Sequence, residues 1–165
     1  MLAMPKPEAI KERLLSSRTH KTRGFMLKLL ILDSAEAKLT HPQAYSFWKE
    51  NWQETFKSLE GQDKINSDDY FRAEKVIVIT YHGQPVCMAI MNSFVLGHDL
   101  YEDLKYFNYY PGEVLRQLRD QYKVLQACSY LTVHKDFRKT SESSKTEVPL
   151  SELIFAVCVY LTRQS

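Results

Sequence analysis

Residues 75–81, KVIVITY, and 85–96, PVCMAIMNSFVL, are apolar at nearly every position, and only His82-Gly83-Gln84 separates them. No other feature of the chain limits its fold so tightly. Two strand-like apolar runs joined by a short glycine-bearing link predict a β-hairpin. A strand with one wetted face alternates apolar and polar residues. These runs do not alternate, so both faces of the hairpin need cover. Helices on each side supply such cover, and 165 residues suffice for one core of this kind.

The remaining chain reads accordingly. Residues 7–17 form a short amphipathic pattern with Ile10, Leu14 and Leu15 inward, and FMLKLLIL (25–32) reads as a strand. Thr40-His41-Pro42-Gln43 fits a capping box, with proline tolerated in the first turn. Tyr45, Trp48, Trp52, Phe56 and Leu59 follow at helical spacing, and Gly61 supplies a stop. Such a stripe reads first as core packing and second as the lining of a substrate groove. Residues 98–110 are Tyr-rich and without a clean period, and read as a loop with a turn of helix. Residues 111–121 read as a helix with Val114, Leu115 and Leu118 inward, and KVLQACSYLTV (123–133) as a further strand. LSELIFAVCVYL (150–161) reads as a largely buried helix, its apolar side carrying Leu150, Leu153, Ile154, Val157 and Leu161. The order predicts an α/β (α+β) fold with a mixed, mostly antiparallel sheet and helices on both faces.

Composition narrows the function classes. A net charge of +2 is too small for a nucleic-acid binder, although a local phosphate patch fits. Cys87, Cys128 and Cys158 are widely spaced within apolar runs and read as buried, reduced thiols. The histidines His20, His41, His82, His98 and His134 show no metal-ligand spacing, and no metal is expected. The N-terminal residues lack the apolar core of a secretory signal, and no run is long enough to span a membrane. A cytoplasmic protein is the expectation.

One corner of the chain carries candidate chemistry. Lys135, Arg138, Lys139 and Lys145 cluster after the strand 123–133 and before the helix 150–161. Thr140, Ser141, Ser143, Ser144 and Thr146 add hydroxyl donors, and Glu142 and Glu147 offset part of the charge. A strand, a loop and a helix N-terminus form a ready setting for phosphate. The same stretch also reads as a solvated surface loop.

The segment SYLTVHKDFRK (129–139) resembles the strand-to-loop signature of the GNAT-type N-acyltransferase superfamily, through Leu131, Val133, Lys135, Phe137 and Arg138. The preceding long helix and hairpin, and the apolar helix that follows, agree with the family's order. The resemblance spans residues 25–165 and is motif-grade only over 129–139. It implies a strand splayed from its neighbour, whose backbone groups at Leu131, Thr132 and Val133 hold the pantetheine arm of an acyl-coenzyme A. Arg138, Lys139, Ser141, Ser143 and Ser144 would then face phosphate. The family's glycine-containing loop is replaced here by KTSESSKTEVPLSE. In loop character the chain is closest to the acyl-homoserine lactone synthases and N-acyl amino acid synthases. Some of these use acyl carrier protein, and the basic corner suits that acidic partner too.

The family continues past this helix with a further strand and helix, so residues 1–165 are expected to form one GNAT-like domain, incomplete at its C-terminus. A homodimer or second chain would complete the sheet. The implied activity is transfer of an acyl group from acyl-coenzyme A or acyl carrier protein to a small amine acceptor. The alternative is a non-catalytic module that binds an acyl thioester or a partner chain. Glu74, Asp99 and Glu113 are candidate bases, and His134 lies beside the corner. Tyr101, Tyr106, Tyr109, Tyr110 and Tyr130 are unranked as acids, and the catalytic residue is unassigned.

Overall fold

The structure is a computed structural model that describes residues 27–61, 64–97, 107–108, 110–138 and 148–164. Strand β1 (Leu27–Leu32) is followed by helices α1 (Ala35–Leu39), α2 (Pro42–Glu60) and α3 (Asp68–Phe71). The hairpin β2 (Lys75–Tyr81) and β3 (Gln84–Val95) comes next, then helix α4 (Gly112–Gln121), strand β4 (Val124–Val133), a 3₁₀ turn (Lys135–Phe137) and helix α5 (Leu150–Thr162). The expected helix over 7–17 lies outside the described residues.

The fold is α+β. Among the described residues four strands run in the order β1-β2-β3-β4, and every neighbouring pair is antiparallel. The hairpin is as expected, with a tighter turn. Gln84 pairs with Tyr81, leaving His82 (φ 48) and Gly83 (φ 78) as the two linking residues. Positive φ at both positions matches the right-handed twist of the flanking strands.

Both faces of the hairpin are covered, and the two-residue period of β2 sorts its side chains between them. Val76 and Val78 join Met88, Ile90, Trp48 and Tyr70 in a core under α2 and α3. Ile77 and Ile79 join Cys87, Ala89, Met91 and Ile154 in a core under α5. Each large apolar side chain fully buried in this way contributes roughly 1.5–3 kcal/mol. Lys38 pins α1 to the segment after α3. Its ammonium donates to the carbonyls of Phe71 and Ala73, and burial lowers its pKa against the raising pull of Asp33.

Several expectations need correction. Thr40 does not cap α2. It ends α1, a helix too short to show a period, and its hydroxyl donates to the Ala37 carbonyl at 2.9 Å. The side-chain cap belongs to Ser34, which accepts from Ala37 N–H at 3.0 Å. Helix α2 begins from His41 without a side-chain cap and ends, as expected, on left-handed Gly61. Leu59, in its last turn, is 77% exposed and not inward. On α4, Leu115 and Leu118 are half-buried and Val114 is exposed, so this helix buries no side chain. On α5, Phe155 and Tyr160 are exposed because the helix turns only one face to the sheet. Of the three thiols, Cys87 and Cys158 are buried but Cys128 is exposed, because β4 is an edge strand.

Strand β4 has one irregularity that shapes both of its faces. Met88 pairs with Thr132 and Ile90 with Ser129, so Tyr130 and Leu131 together oppose Ala89. This is a β-bulge. Tyr130 sits in the left-handed region at φ 54, which is strained for a bulky residue. The extra residue shifts the strand's phase. Cys128 pairs with Met91 of the α5-side core, whereas Thr132 pairs with Met88 of the α2-side core. In an unbroken strand, residues four apart would share a face.

Candidate functional site

The bulged end of β4 forms one wall of a cleft of about 310 Å³, lined by Asn51, Trp52, Thr55, Leu131, Thr132, Val133 and Arg138. All the described members of the predicted site therefore meet in one place. Lys139, Ser141, Ser143 and Ser144 lie outside the described residues. Three further residues, Asn51, Trp52 and Thr55, come from α2.

Trp52 ties the two walls together. A half-buried indole N–H needs an acceptor. Trp52 Nε1 donates to Thr132 Oγ1 at 2.8 Å and lies 3.3 Å from the Tyr130 carbonyl. The Thr132 hydroxyl in turn donates to that same carbonyl at 3.0 Å. The Tyr130 carbonyl at the bulge thus has two side-chain donors. The Tyr130 ring packs edge-on against Trp52 (centroids 5.0 Å) and Trp48 (5.6 Å). Its hydroxyl donates to Asp69 Oδ2 at 2.5 Å. Burial and this carboxylate hold the Tyr130 phenol protonated well above the usual tyrosine range.

The main chain beyond the bulge is oriented by ladder alternation. His134 N–H donates to Val86 O at 2.8 Å, which makes those residues a hydrogen-bonded pair. Alternation then turns the Thr132 backbone toward β3 and the Val133 N–H and C=O toward the free edge. Among the described residues no strand lies on that side of β4. Arg138 Nε donates to the Val133 carbonyl at 3.0 Å, so the exposed guanidinium sits at the mouth of the cleft. Buried Thr132, half-buried Val133 and exposed Leu131 all line the cleft.

The other candidates stand apart. His134 is half-buried, its ring stacked on Phe47 (centroids 6.5 Å), with Nδ1 accepting from Asp136 N–H at 3.3 Å. Glu74 accepts from the Ser93 hydroxyl, and Glu113 pairs with Arg116 at 4.0 Å on the surface. None of the three lines the cleft. Asp99, Tyr101, Tyr106 and Tyr109 lie outside the described residues, and Tyr110 lines a different groove. The cleft's lining can bind and orient an extended polar ligand and hold an anion at Arg138. Among the described residues that line it there is no carboxylate or imidazole base. Among the described residues no group of three or more His, Cys, Asp or Glu could hold a metal ion, and no helix is long and apolar enough to cross a membrane.

Sequence reasoning missed Asn51 and Thr55, whereas Trp52 belongs to the stripe whose second reading was the lining of a groove. The available signal was local. Asn51 and Thr55 flank Trp52 at helical spacing, so the stripe has a polar margin there. Comparison with known proteins adds no relative: no family model, no curated protein and no solved structure matches the chain.

Proposed function

We propose that the cleft beside β4 binds an acyl thioester of coenzyme A or acyl carrier protein, and that the protein transfers the acyl group to a small amine. The pantetheine arm would lie extended along Leu131–Val133, with the phosphate end toward Arg138 and the loop beyond it. The observation that carries this reading is the bulged, one-sided end of β4. Its edge backbone faces a cleft, as an amide-bearing arm requires, and a guanidinium stands at the mouth where an anion is needed. Cytoplasmic residence is part of the proposal, since reduced Cys87, Cys128 and Cys158 suit that compartment.

The composition of the lining favours a second reading. With no base among Asn51, Trp52, Thr55, Leu131, Thr132, Val133 and Arg138, the site would serve as a non-catalytic acyl-thioester module. Two measurements decide. A ligand at a hundredfold excess over its Kd stabilises the native state by about 2.7 kcal/mol, so melting with coenzyme A and long-chain acyl-coenzyme A reads binding directly. Unmoved melting with every thioester, carrier-bound ones included, would end both readings. Release of free thiol in the presence of an amine panel separates the enzyme from the binder.

A further inference from the structure

A second groove, of about 360 Å³, lies on the other face of β4, between its first half and α5. Its walls are largely apolar, with Leu125, Tyr110, Phe155 and Val159 around two thiols, Cys128 and Cys158. These cysteines are far apart in sequence, yet their sulfurs are 3.6 Å apart, with the Cys158 thiol donating to Cys128 Sγ. Their environments differ. Cys128 is exposed on the edge strand, whereas Cys158 is 4% exposed within the core under α5. The donated hydrogen bond draws the Cys128 thiol down to about 7, while the same bond and burial hold Cys158 protonated. An accessible sulfur with thiolate character beside a protonated partner is the arrangement of an attacking and a resolving cysteine. Cys87 is built differently. It is fully buried, its thiol is directed at the Leu150 carbonyl at 3.7 Å, and burial pushes it up to about 12.

We propose that Cys128 and Cys158 form a redox-active dithiol whose oxidant is an organic hydroperoxide. Cys128 thiolate attacks the terminal oxygen of the hydroperoxide. An S–O bond forms, the O–O bond breaks, and the alkoxide leaves and is protonated to the alcohol. Cys158 sulfur then attacks Cys128 sulfur. The S–S bond forms, the S–O bond breaks, and the departing hydroxide combines with the Cys158 proton as water. Two thiols and one hydroperoxide yield one disulfide, one alcohol and one water, a two-electron oxidation. The apolar walls select an organic hydroperoxide over hydrogen peroxide. The site does not depend on the acyl-thioester reading, since it lies on the other face of the strand and shares no lining residue with the first cleft.

The test uses the reduced full chain with stoichiometric cumene hydroperoxide, read by thiol titration and non-reducing peptide mass mapping. The expected product is monomeric, has lost two thiols, links the peptides of Cys128 and Cys158, and retains Cys87 as free thiol. Cys158→Ser should halt at a Cys128 sulfenic acid that dimedone traps. Cys128→Ser should lose thiols at least about tenfold more slowly than the native chain. Intermolecular disulfides, Cys87 oxidised as fast as Cys128, or an untouched thiol pair would each overturn the proposal. Equal rates with hydrogen peroxide would overturn the assignment to organic hydroperoxides. The peptide map of the native chain decides the matter even if a variant fails to fold.

Discussion

Residues 124–128 and 130–133 belong to the same strand, β4, and pair with the same neighbour, β3, but their surroundings differ. The first stretch keeps one-to-one register, turns Cys128 to the α5 side and borders an apolar groove. The second is bulged, turns Thr132 to the α2 side and borders a cleft furnished with hydroxyls, an indole and a guanidinium. Side-chain sulfur distinguishes the first half, and main-chain edge groups distinguish the second. Two unlike sites thus share one edge strand because the register slips between them.

The strongest way to break this comparison is to remove the tie across the second half. Trp52→Ala should cost about 3 kcal/mol, the low end for a large aromatic because the residue is only half-buried. Thermal melting reads this directly. The rate of Cys128–Cys158 disulfide formation should stay within about twofold of the native chain, since Trp52 does not line that groove. A collapse of both properties would mean that the halves are one unit. Tyr130→Phe is milder. It removes the hydrogen bond to Asp69, worth about 1.5–3 kcal/mol for a charged acceptor, and leaves the ring in place. Denaturant unfolding at neutral pH should show that loss, and no loss would mean that the bond does not hold the bulge.

Smaller effects sharpen the chemistry. The double reversal Arg138→Glu with Lys139→Glu should weaken coenzyme A binding at least about tenfold, with melting unchanged because Arg138 is exposed. Unchanged affinity by calorimetry would remove Arg138 from the anion site. The last effect is a shift in reactivity with pH. A hydrogen-bond donor stabilises the Cys128 thiolate, so alkylation of Cys128 should reach half its maximal rate near pH 7. Cys158→Ala takes away that donor, and the midpoint should rise toward about 8.5, the ordinary value for a free thiol. A midpoint that does not move would deny the coupling between the sulfurs.

The hairpin was legible in the sequence because its signals are local: two apolar runs and a glycine-bearing link. The segment 129–139 was legible as a corner, and Leu131, Thr132, Val133 and Arg138 of it line one cleft. Other features depend on sheet order or on distant contacts. That β4 is an edge follows from which strands neighbour it, and no residue of β4 encodes that alone. The bulge carries no glycine, since a tyrosine takes the left-handed position, so the usual residue signal is missing. The thiol pair joins residues thirty positions apart, and no spacing rule anticipates it. The misplaced cap at Thr40 has a simpler cause. A five-residue helix precedes α2, and so short an element shows no period.

The doubled position opposite Ala89 has a final consequence for how this molecule can vary. It works like a frame change in a ruler: upstream numbering is odd where downstream is even. Side chains on either side of it can be exchanged independently, as on two separate scaffolds. Excising one amino acid there would instead restore one-to-one pairing, with Thr132 still opposite Met88 and Val133 opposite Cys87, whereas the same excision in the regular half would turn its neighbours to the opposite face.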